Sequence, residues 1–150
     1  MKLLSNDEFK NIIKLTPLIA FDMIIEYDNK ILVGKRINEP AKGFYFIPGG
    51  RILKNESINL ACKRLTKVEL GFEIDFNKFT FHMNTEHFYD NNFFNNKFKT
   101  HYVCLCYKYT LNKNEYQKIN LDSQHNETKW MLINELLNHQ MVHTNTKNYF

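Results

Sequence analysis

The chain has 150 residues and a mass of 18.0 kDa, the size of one domain with its own hydrophobic core. Its apolar fraction of 43% and aromatic fraction of 15% argue against intrinsic disorder. The net charge of +4 comes from lysines spread along the chain, so no basic tail or basic helix indicates a nucleic-acid or membrane partner. We therefore predict a single domain over residues 1–150.

Caps, turn residues and the spacing of apolar residues predict three helices and six strands. In chain order they are a helix at Asp7–Leu15, strands at Leu18–Tyr27, Ile31–Lys35 and Phe44–Ile47, a helix at Ser57–Leu70, strands at Phe79–Tyr89, Thr100–Thr110 and Lys129–Leu132, and a helix at Glu135–His139. Because strands outnumber helices and the longest helix lies between strands, we predict an α/β (α+β) class with a mixed sheet.

The three cysteines indicate reduced core residues. Cys104 and Cys106 alternate along one predicted strand, Cys62 lies in the second helix, and none has the spacing of zinc ligands. The longest apolar run, Ile19–Ile25, is interrupted by Asp22 and is too short to span a bilayer. The first ten residues contain no apolar segment typical of a secretion signal. We therefore expect a cytoplasmic protein.

Arginine is rare in this chain, which has 17 lysines and 3 arginines. The three are Arg36, Arg51 and Arg64. An arginine in such a background is informative because lysine cannot reproduce its planar, two-pronged hydrogen bonding. From composition alone, a surface position remains the alternative for Arg36 and Arg51.

The second predicted helix has a carboxylate at the edge of its apolar face. That face is formed by residues at helical spacing, namely Ile58, Ala61, Cys62, Leu65, Val68 and Glu69. Glu69 either extends toward solvent or is held for a partner such as a metal ion. The Gly49-Gly50 turn before this helix allows a backbone group to approach a phosphate or a metal ion.

The residues from 50 to 72 resemble the Nudix box, G-x5-E-x7-R-E-U-x-E-E-x-G-U, in which U is apolar. The matching positions are Gly50, Glu56, Arg64, Glu69 and Gly71. Leu65 and Val68 replace two of the box glutamates, and Thr66 replaces an apolar residue. The resemblance implies the Nudix fold, a mixed sheet sandwiched between helices, in which Arg64 has a structural role and pairs with a box carboxylate such as Glu56.

The missing glutamates make a cage for several metal ions implausible and favour a single Mg²⁺, which keeps water ligands and needs few protein ligands. In this respect the chain resembles the GDP-mannose mannosyl hydrolase (GDP-mannose glycosyl hydrolase) branch of the Nudix superfamily. The resemblance extends outside the box to Thr16-Pro17-Leu18, Gly34-Lys35-Arg36, Pro40-Ala41, Pro48-Gly49-Gly50-Arg51, His87-Phe88-Tyr89-Asp90, Thr100-His101-Tyr102-Val103, Asp122 and Gln124-His125.

The resemblance implies hydrolysis of GDP-mannose, or of GDP-glucose, to GDP and free hexose by attack of water at sugar C1 with inversion. One Mg²⁺ per subunit, with Mn²⁺ as a substitute, is then held by Glu69, the side chain of Gln124 and the carbonyl of Gly49. Arg36 and Arg51 face the diphosphate, whose charge must be neutralised when GDP leaves.

The resemblance also assigns roles outside the metal site. His125 is the implied general base, since histidine titrates near neutrality. His87 and Tyr102 lie near the sugar and the phosphates, with core packing as the alternative for Tyr102. Asp22 contacts sugar hydroxyls or an arginine, and its alternative is a solvent-facing position in an edge strand. Aromatic candidates for stacking on the base are Phe88, Phe93, Phe94 and Phe98.

Two other functions remain open on the sequence. One is a Nudix pyrophosphatase that attacks a nucleotide diphosphate derivative at phosphorus, against which the replacements Leu65 and Val68 argue. The other is a non-enzymatic sensor of nucleotide sugars, against which Glu69, Gln124 and His125 together argue. The family resemblance also predicts a homodimer.

Overall fold

The computed structural model describes residues 4–94, 98–119 and 128–150, and a mixed seven-stranded sheet forms the centre of this part of the chain. The strands are β1 Leu18–Tyr27, β2 Lys30–Lys35, β3 Tyr45–Phe46, β4 Gly49–Arg51, β5 Thr80–Tyr89, β6 Thr100–Thr110 and β7 Thr128–Leu132. The helices are α1 Asn6–Leu15, α2 Ile58–Leu70, α3 Lys113–Lys118, α4 Ile133–Asn138 and α5 Thr144–Lys147, with a 3₁₀ turn at Phe76–Lys78. The mixed sheet predicted from the sequence is confirmed.

Strand β1 is central to the sheet. It runs parallel to β6 from Leu18 to Glu26, and on its other edge it pairs antiparallel with β4 and, at its end, with β2. The full order is β3, β2, β1, β6 and β5, with β4 paired to β1 and β7 paired to β2. Asp22 therefore lies in the middle of a central strand, which excludes the alternative that it occupies an edge strand.

The sheet has a hydrophobic core on each face because side chains alternate across a strand. One core contains Phe21, Met23, Ile25 and Leu32 of the sheet with Cys62, Leu65 and Leu70 of α2. The other contains Ile24, Ile31, Val33, Cys106 and Met131 of the sheet with Leu136, Val142 and Tyr149. Asp22 shares its face of β1 with Ile24, so its carboxylate points toward the C-terminal segment. All three cysteines are buried and free, as predicted.

Helix α2 begins and ends where its sequence predicts. The Ser57 side chain accepts a hydrogen bond from the Leu60 N–H at the first turn. Gly71 ends the helix with a φ of 89°, a left-handed conformation that favours glycine. These two caps fix the ends of α2, and therefore also which of its residues face the sheet.

Two residues of α2 differ from the apolar face predicted from the sequence. Val68 is 51% exposed, so its predicted place on the buried face is wrong. Thr66 is fully buried at a position where the Nudix box has an apolar residue. Its hydroxyl donates to the Cys62 carbonyl and accepts the Ile74 N–H, so the polar group is satisfied inside the core.

Several short elements were not predicted. Strand β4 consists of two glycines and an arginine, a composition with little intrinsic strand preference, and forms by pairing with β1. The predicted strand Phe44–Ile47 is reduced to the two residues of β3, and α3 and α5 are helices of six and four residues. In the described part of the chain, no helix combines the length and apolar character needed to cross a membrane.

An ion pair joins the loop before α2 to the helix itself, as predicted for Glu56 and Arg64. Arg64 Nε donates to Glu56 Oε1 at 2.7 Å and its Nη2 donates to Glu56 Oε2 at 2.8 Å. Nη2 also donates to the Arg51 carbonyl at 2.8 Å, and the Leu53 N–H donates to Glu56 Oε2 at 2.9 Å. The Glu56 side chain is 1% exposed, so this two-pronged pair fixes the loop between β4 and α2.

Replacing Glu56 by glutamine tests this pair. Arg64 holds the pKa of Glu56 below its ordinary value of 4.5, so the pair stabilises the fold above that pH and the contribution is lost as the pH falls through the lowered value. At pH 7 we expect Glu56→Gln to lower the free energy of unfolding by about 2 kcal/mol.

Urea denaturation over a pH series measures this difference, which should shrink on acidification. Glu73→Gln is the matched control, because Glu73 is exposed and pairs with Lys67 on the surface. It should change the free energy of unfolding by less than about 0.5 kcal/mol. A pH-independent difference for Glu56→Gln would contradict the assignment.

Candidate active site

A cavity of about 420 Å³ beside β1 brings together seven of the nine predicted site residues. They are Asp22, Arg36, Gly49, Arg51, Glu69, His87 and Tyr102. The other two, Gln124 and His125, lie outside the described residues. The seven come from distant points in the sequence, so the fold, and no local motif alone, creates the cavity.

Asp22 is held on the floor of the cavity by a tyrosine near the end of the sequence. The Tyr149 hydroxyl donates to Asp22 Oδ2 at 2.6 Å, and the Tyr149 ring is 3% exposed. Burial raises the pKa of Asp22, whereas the bond from Tyr149, a nearby Cys104 and the charge of Arg36 lower it. Tyr149 therefore favours the ionised carboxylate in a place where burial opposes it.

His87 lies next to this carboxylate and is 5% exposed. Its pKa is lowered to about 4, first by burial and then by the nearby His143 and Arg36, so the ring is neutral near pH 7. Its Nδ1 lies 3.4 Å from Cys104 Sγ, and Nε2 has no hydrogen-bond partner among the described residues. A neutral imidazole on the cavity wall can donate a hydrogen bond to an uncharged ligand group, or accept one from it, according to its tautomer.

His87 and Tyr102 face the cavity together because they are paired across the sheet. Residue 87 of β5 lies directly opposite residue 102 of β6, and Tyr102 is in turn opposite Leu18 of β1. Paired residues project from the same face of a sheet. Burial raises the pKa of Tyr102, so its hydroxyl remains protonated and able to donate a hydrogen bond.

Strand β4 places a backbone carbonyl beside the cavity. The Met23 N–H donates to the Pro48 carbonyl, and the Ile52 N–H donates to the Ile19 carbonyl. Because hydrogen-bonded and non-bonded pairs alternate in an antiparallel ladder, Gly49 is at a non-bonded position opposite Asp22. The Gly49 carbonyl therefore points away from β1, and Gly49 lines the cavity.

The described donor groups fit a hard divalent cation at one end of the cavity. Glu69 and Gly49 both line the cavity and offer a carboxylate and a carbonyl oxygen, the ligand types that Mg²⁺ prefers. A second group, Asp22, His87 and Cys104, has ligand atoms that all lie within 4.8 Å of one another. Its mixture of oxygen, nitrogen and sulfur suits softer ions than Mg²⁺.

Two arginines and Lys35 contribute positive charge to the cavity. The Arg36 guanidinium lies 5.1 Å from the centre of the Phe46 ring, and that of Arg51 lies 3.8 Å from the centre of the Phe9 ring. Burial and the nearby Arg64 lower the pKa of Arg51, but a guanidinium remains charged at any physiological pH. Aromatic rings thus orient both arginines in a cavity where an anion would neutralise them.

Among the lining residues that sequence reasoning did not assign to the site are Tyr89, Cys104 and Tyr149. Tyr89 lies within the His87–Asp90 motif of the family resemblance, so the sequence could have indicated Tyr89 as a site residue. Cys104 was correctly predicted to be buried, but its position facing Asp22 depends on the β1–β6 register. Tyr149 is separated from Asp22 by 127 positions, and no local pattern relates the two.

The NUDIX domain family model matches residues 16–150. The chain belongs to the NUDIX domain family. This membership confirms the predicted Nudix fold and supports hydrolase activity on a nucleotide derivative. Nudix hydrolases generally use a divalent metal ion, and Glu69 and Gly49 offer oxygen atoms that suit one.

Relatives extend the comparison. The low-salt glycan biosynthesis protein Agl8 of Haloferax volcanii is 33% identical over 125 residues, which are 83% of this chain and 76% of that protein. The ADP-ribose pyrophosphatase of Methanocaldococcus jannaschii is 47% identical over 57 residues, only 38% of this chain and 34% of that protein. The crystal structure of a MutT NUDIX hydrolase from Burkholderia pseudomallei has a TM-score of 0.67 at 23% identity, covering 89% of this chain and 95% of that one, and supports the fold alone.

A tyrosine-to-phenylalanine change tests how Asp22 is held. Tyr149→Phe removes the hydrogen bond that stabilises the ionised carboxylate, so we expect the pKa of Asp22 to rise further above the ordinary range. Carbon-13 NMR of the Asp22 carboxyl during a pH titration measures the change.

Tyr109→Phe is the matched control, because Tyr109 donates a 2.8 Å hydrogen bond to Glu115, which does not line the cavity. It should leave the Asp22 titration unchanged. An unchanged Asp22 titration in Tyr149→Phe would show that the tyrosine does not stabilise the charge.

Proposed function

We propose that the chain hydrolyses a GDP-hexose, GDP-mannose in the first instance, to GDP and the free sugar by attack of water at sugar C1 with inversion. The observation that carries the proposal is the reduced box helix. Leu65 is buried in the core, Val68 faces solvent, and Glu69 alone of these three lines the cavity. A helix with one carboxylate at the cavity suits a single metal ion better than the several used for attack at phosphorus.

The positive charge of the cavity suits the diphosphate of such a substrate. Arg36 and Arg51 both line the cavity, and a guanidinium can donate two parallel hydrogen bonds to phosphate oxygens. When the C1–O bond breaks, the leaving GDP takes the bonding electrons, and its added negative charge is stabilised by these two arginines. A well-stabilised diphosphate needs less protonation than an ordinary sugar leaving group.

The floor of the cavity suits a sugar ring. The Asp22 carboxylate, the neutral His87 ring and the Tyr102 hydroxyl offer hydrogen-bond acceptors and donors in a confined space. These are the groups that orient a polyhydroxylated ligand. A negative Asp22 also favours the positive charge that develops at C1 in the transition state.

Glu69, the Gly49 carbonyl and the Gln124 side chain are the proposed Mg²⁺ ligands, with Mn²⁺ as a substitute. The bound ion would neutralise diphosphate charge.

His125 is the proposed base, accepting a proton from the attacking water through a ring nitrogen. We expect His125→Gln to lower kcat strongly with little change in KM, and turnover at the wild-type rate would remove this role.

Names of relatives support a sugar-nucleotide substrate. Agl8, which aligns over most of both chains, is described as a glycan biosynthesis protein. The aligned ADP-ribose pyrophosphatase segment favours the second candidate function, cleavage of a nucleotide diphosphate derivative at phosphorus. We place this second function below the first because the described cavity has a single box-helix carboxylate.

The family resemblance also leads us to propose a homodimer, which analytical ultracentrifugation tests.

Product analysis separates cleavage at sugar C1 from cleavage between the two phosphates. We expect a panel of nucleotide sugars with Mg²⁺ to give GDP and free hexose from GDP-mannose, with the inverted anomer as the first sugar signal in proton NMR. GMP and a hexose 1-phosphate as products would favour the second function and contradict the first.

A carboxylate substitution tests the metal site. Glu69→Gln removes the charged metal ligand, so we expect the Mg²⁺ concentration for half-maximal activity to rise at least about tenfold. Glu73→Gln, four residues further along the chain, beyond the end of α2 and exposed, is the matched control and should leave this concentration unchanged. Equal Mg²⁺ dependence of the two variants would exclude Glu69 as a ligand.

A further inference from the structure

Three side chains of different chemistry meet on the floor of the cavity. They are Asp22 of β1, His87 of β5 and Cys104 of β6, and their ligand atoms all lie within 4.8 Å of one another. All three line the cavity of about 420 Å³. We propose that they form a binding site for Zn²⁺, separate from the Mg²⁺ ligands, and that Zn²⁺ bound there blocks the end of the cavity proposed for the sugar.

The donor set favours Zn²⁺ over Mg²⁺. A thiolate, an imidazole and a carboxylate are the three side-chain ligand types of zinc, and three protein ligands with one open position are typical of accessible zinc sites. Mg²⁺ prefers oxygen ligands, so a sulfur and a nitrogen ligand discriminate against it. The cluster therefore differs in chemistry from Glu69 and Gly49, which both line the cavity and offer oxygen atoms alone.

The spacing of the nitrogen and sulfur atoms matches a tetrahedral site. Nδ1 of His87 lies 3.4 Å from Sγ of Cys104. In tetrahedral coordination, a Zn–S bond of about 2.3 Å and a Zn–N bond of about 2.0 Å place the two ligand atoms about 3.5 Å apart. These two side chains can therefore bind one ion without a large movement of either.

His87 has hydrogen-bonding capacity that the described part of the chain leaves unused. Its side chain is 5% exposed, Nδ1 faces a thiol, which is a weak hydrogen-bonding group, and Nε2 has no partner among the described residues. As a neutral imidazole, His87 can keep its proton on Nε2 and offer the lone pair of Nδ1 to a metal ion. Metal binding at Nδ1 then breaks no strong hydrogen bond.

The fold holds the other parts of the cluster in place. The Tyr149 hydroxyl donates to Oδ2 of Asp22 at 2.6 Å, and hydrogen bonds of this kind orient a carboxylate ligand and raise its affinity for a metal ion. All three ligand residues lie on adjacent strands, because β6 pairs with both β1 and β5. The site is therefore built on the centre of the sheet, where positions are better fixed than on loops.

Charge balance also favours a divalent cation. Asp22 supplies one negative charge, and Cys104 supplies a second when its thiol loses a proton to solvent water as the Sγ–Zn bond forms. Together they balance the charge of the ion, and no group is oxidised or reduced. The positive charge of Arg36 near Asp22 opposes binding, so the affinity depends on the sulfur bond.

The blocking effect follows from the position of the cluster and rests on the proposed function. Asp22 and His87 are two of the groups proposed to orient the sugar, so a metal ion bound to them and the sugar exclude each other. The binding of Zn²⁺ itself does not depend on that proposal.

Cd²⁺ reports the sulfur bond directly, because it binds thiolates as Zn²⁺ does and the bond gives a charge-transfer band in the ultraviolet. We expect wild-type protein, titrated with Cd²⁺ in excess Mg²⁺, to show this band. Cys104→Ala should abolish it. Cys106→Ala is the matched control and should keep it, because Cys106 is two residues along the same strand and does not line the cavity.

Two further variants test the other ligands and the separation from the Mg²⁺ site. His87→Gln should weaken Cd²⁺ binding at least about tenfold, whereas Glu69→Gln should leave it unchanged. Absence of the band from wild-type protein, its persistence in Cys104→Ala, or its loss in Glu69→Gln overturns the site.

Inhibition kinetics test the blocking effect. At a fixed excess of Mg²⁺ we expect Zn²⁺ to raise the KM for GDP-mannose with little change in kcat, because the ion and the sugar compete for the same groups. Cys104→Ala should raise the Zn²⁺ concentration for half-maximal inhibition at least about tenfold, and Cys106→Ala should leave it unchanged. Equal inhibition of the two variants, or a lower kcat at unchanged KM, would overturn the blocking effect.

These results are independent of the reaction chemistry. A Cd²⁺ band that depends on Cys104 supports the site even if the products show cleavage at phosphorus. Cleavage at sugar C1 without such a band would leave the proposed reaction standing and overturn the site.

Discussion

The close approach of β4 to both β1 and α2 is the constraint on which the site depends. A Cβ on Gly49 would collide with Asp22 Oδ1 and the Phe21 carbonyl, and a Cβ on Gly50 would lie 2.6 Å from Leu65 Cδ2. The two glycines therefore let the Asp22 side chain and α2 pack against the same three-residue strand. As a consequence, Asp22 and Glu69 line one cavity although their elements are distant in sequence.

Burial divides the cavity into two electrostatic regions. On the floor, desolvation keeps His87 neutral and opposes ionisation of Asp22, which Tyr149 counteracts with a hydrogen bond. Elsewhere on the cavity wall, Arg36 and Arg51 remain charged because guanidinium pKa values are so high. A ligand with uncharged hydroxyls at one end and a diphosphate in the middle matches this division. The proposed GDP-hexose has that distribution of charge.

The sequence predicted the elements whose formation depends on residues close together in the chain. The ends of α2 and the long strands follow from caps, spacing and apolar patterning, whereas the Glu56–Arg64 pair was implied by the resemblance to the Nudix box. Strand β4 could not be predicted because its two glycines become a strand only when β1 is present. The Asp22–Tyr149 bond depends on how the C-terminal segment packs over the sheet, and the exposed Val68 shows that an apolar residue at helical spacing need not be buried.

Isotope labelling in ¹⁸O-water tests the proposed bond cleavage most directly, because product identity alone does not tell attack at sugar C1 from attack at the phosphorus next to the sugar. Both reactions give GDP and free hexose. If water attacks C1, mass spectrometry of a single turnover with GDP-mannose will find the label in the sugar and none in GDP. Label in the terminal phosphate of GDP would contradict the account.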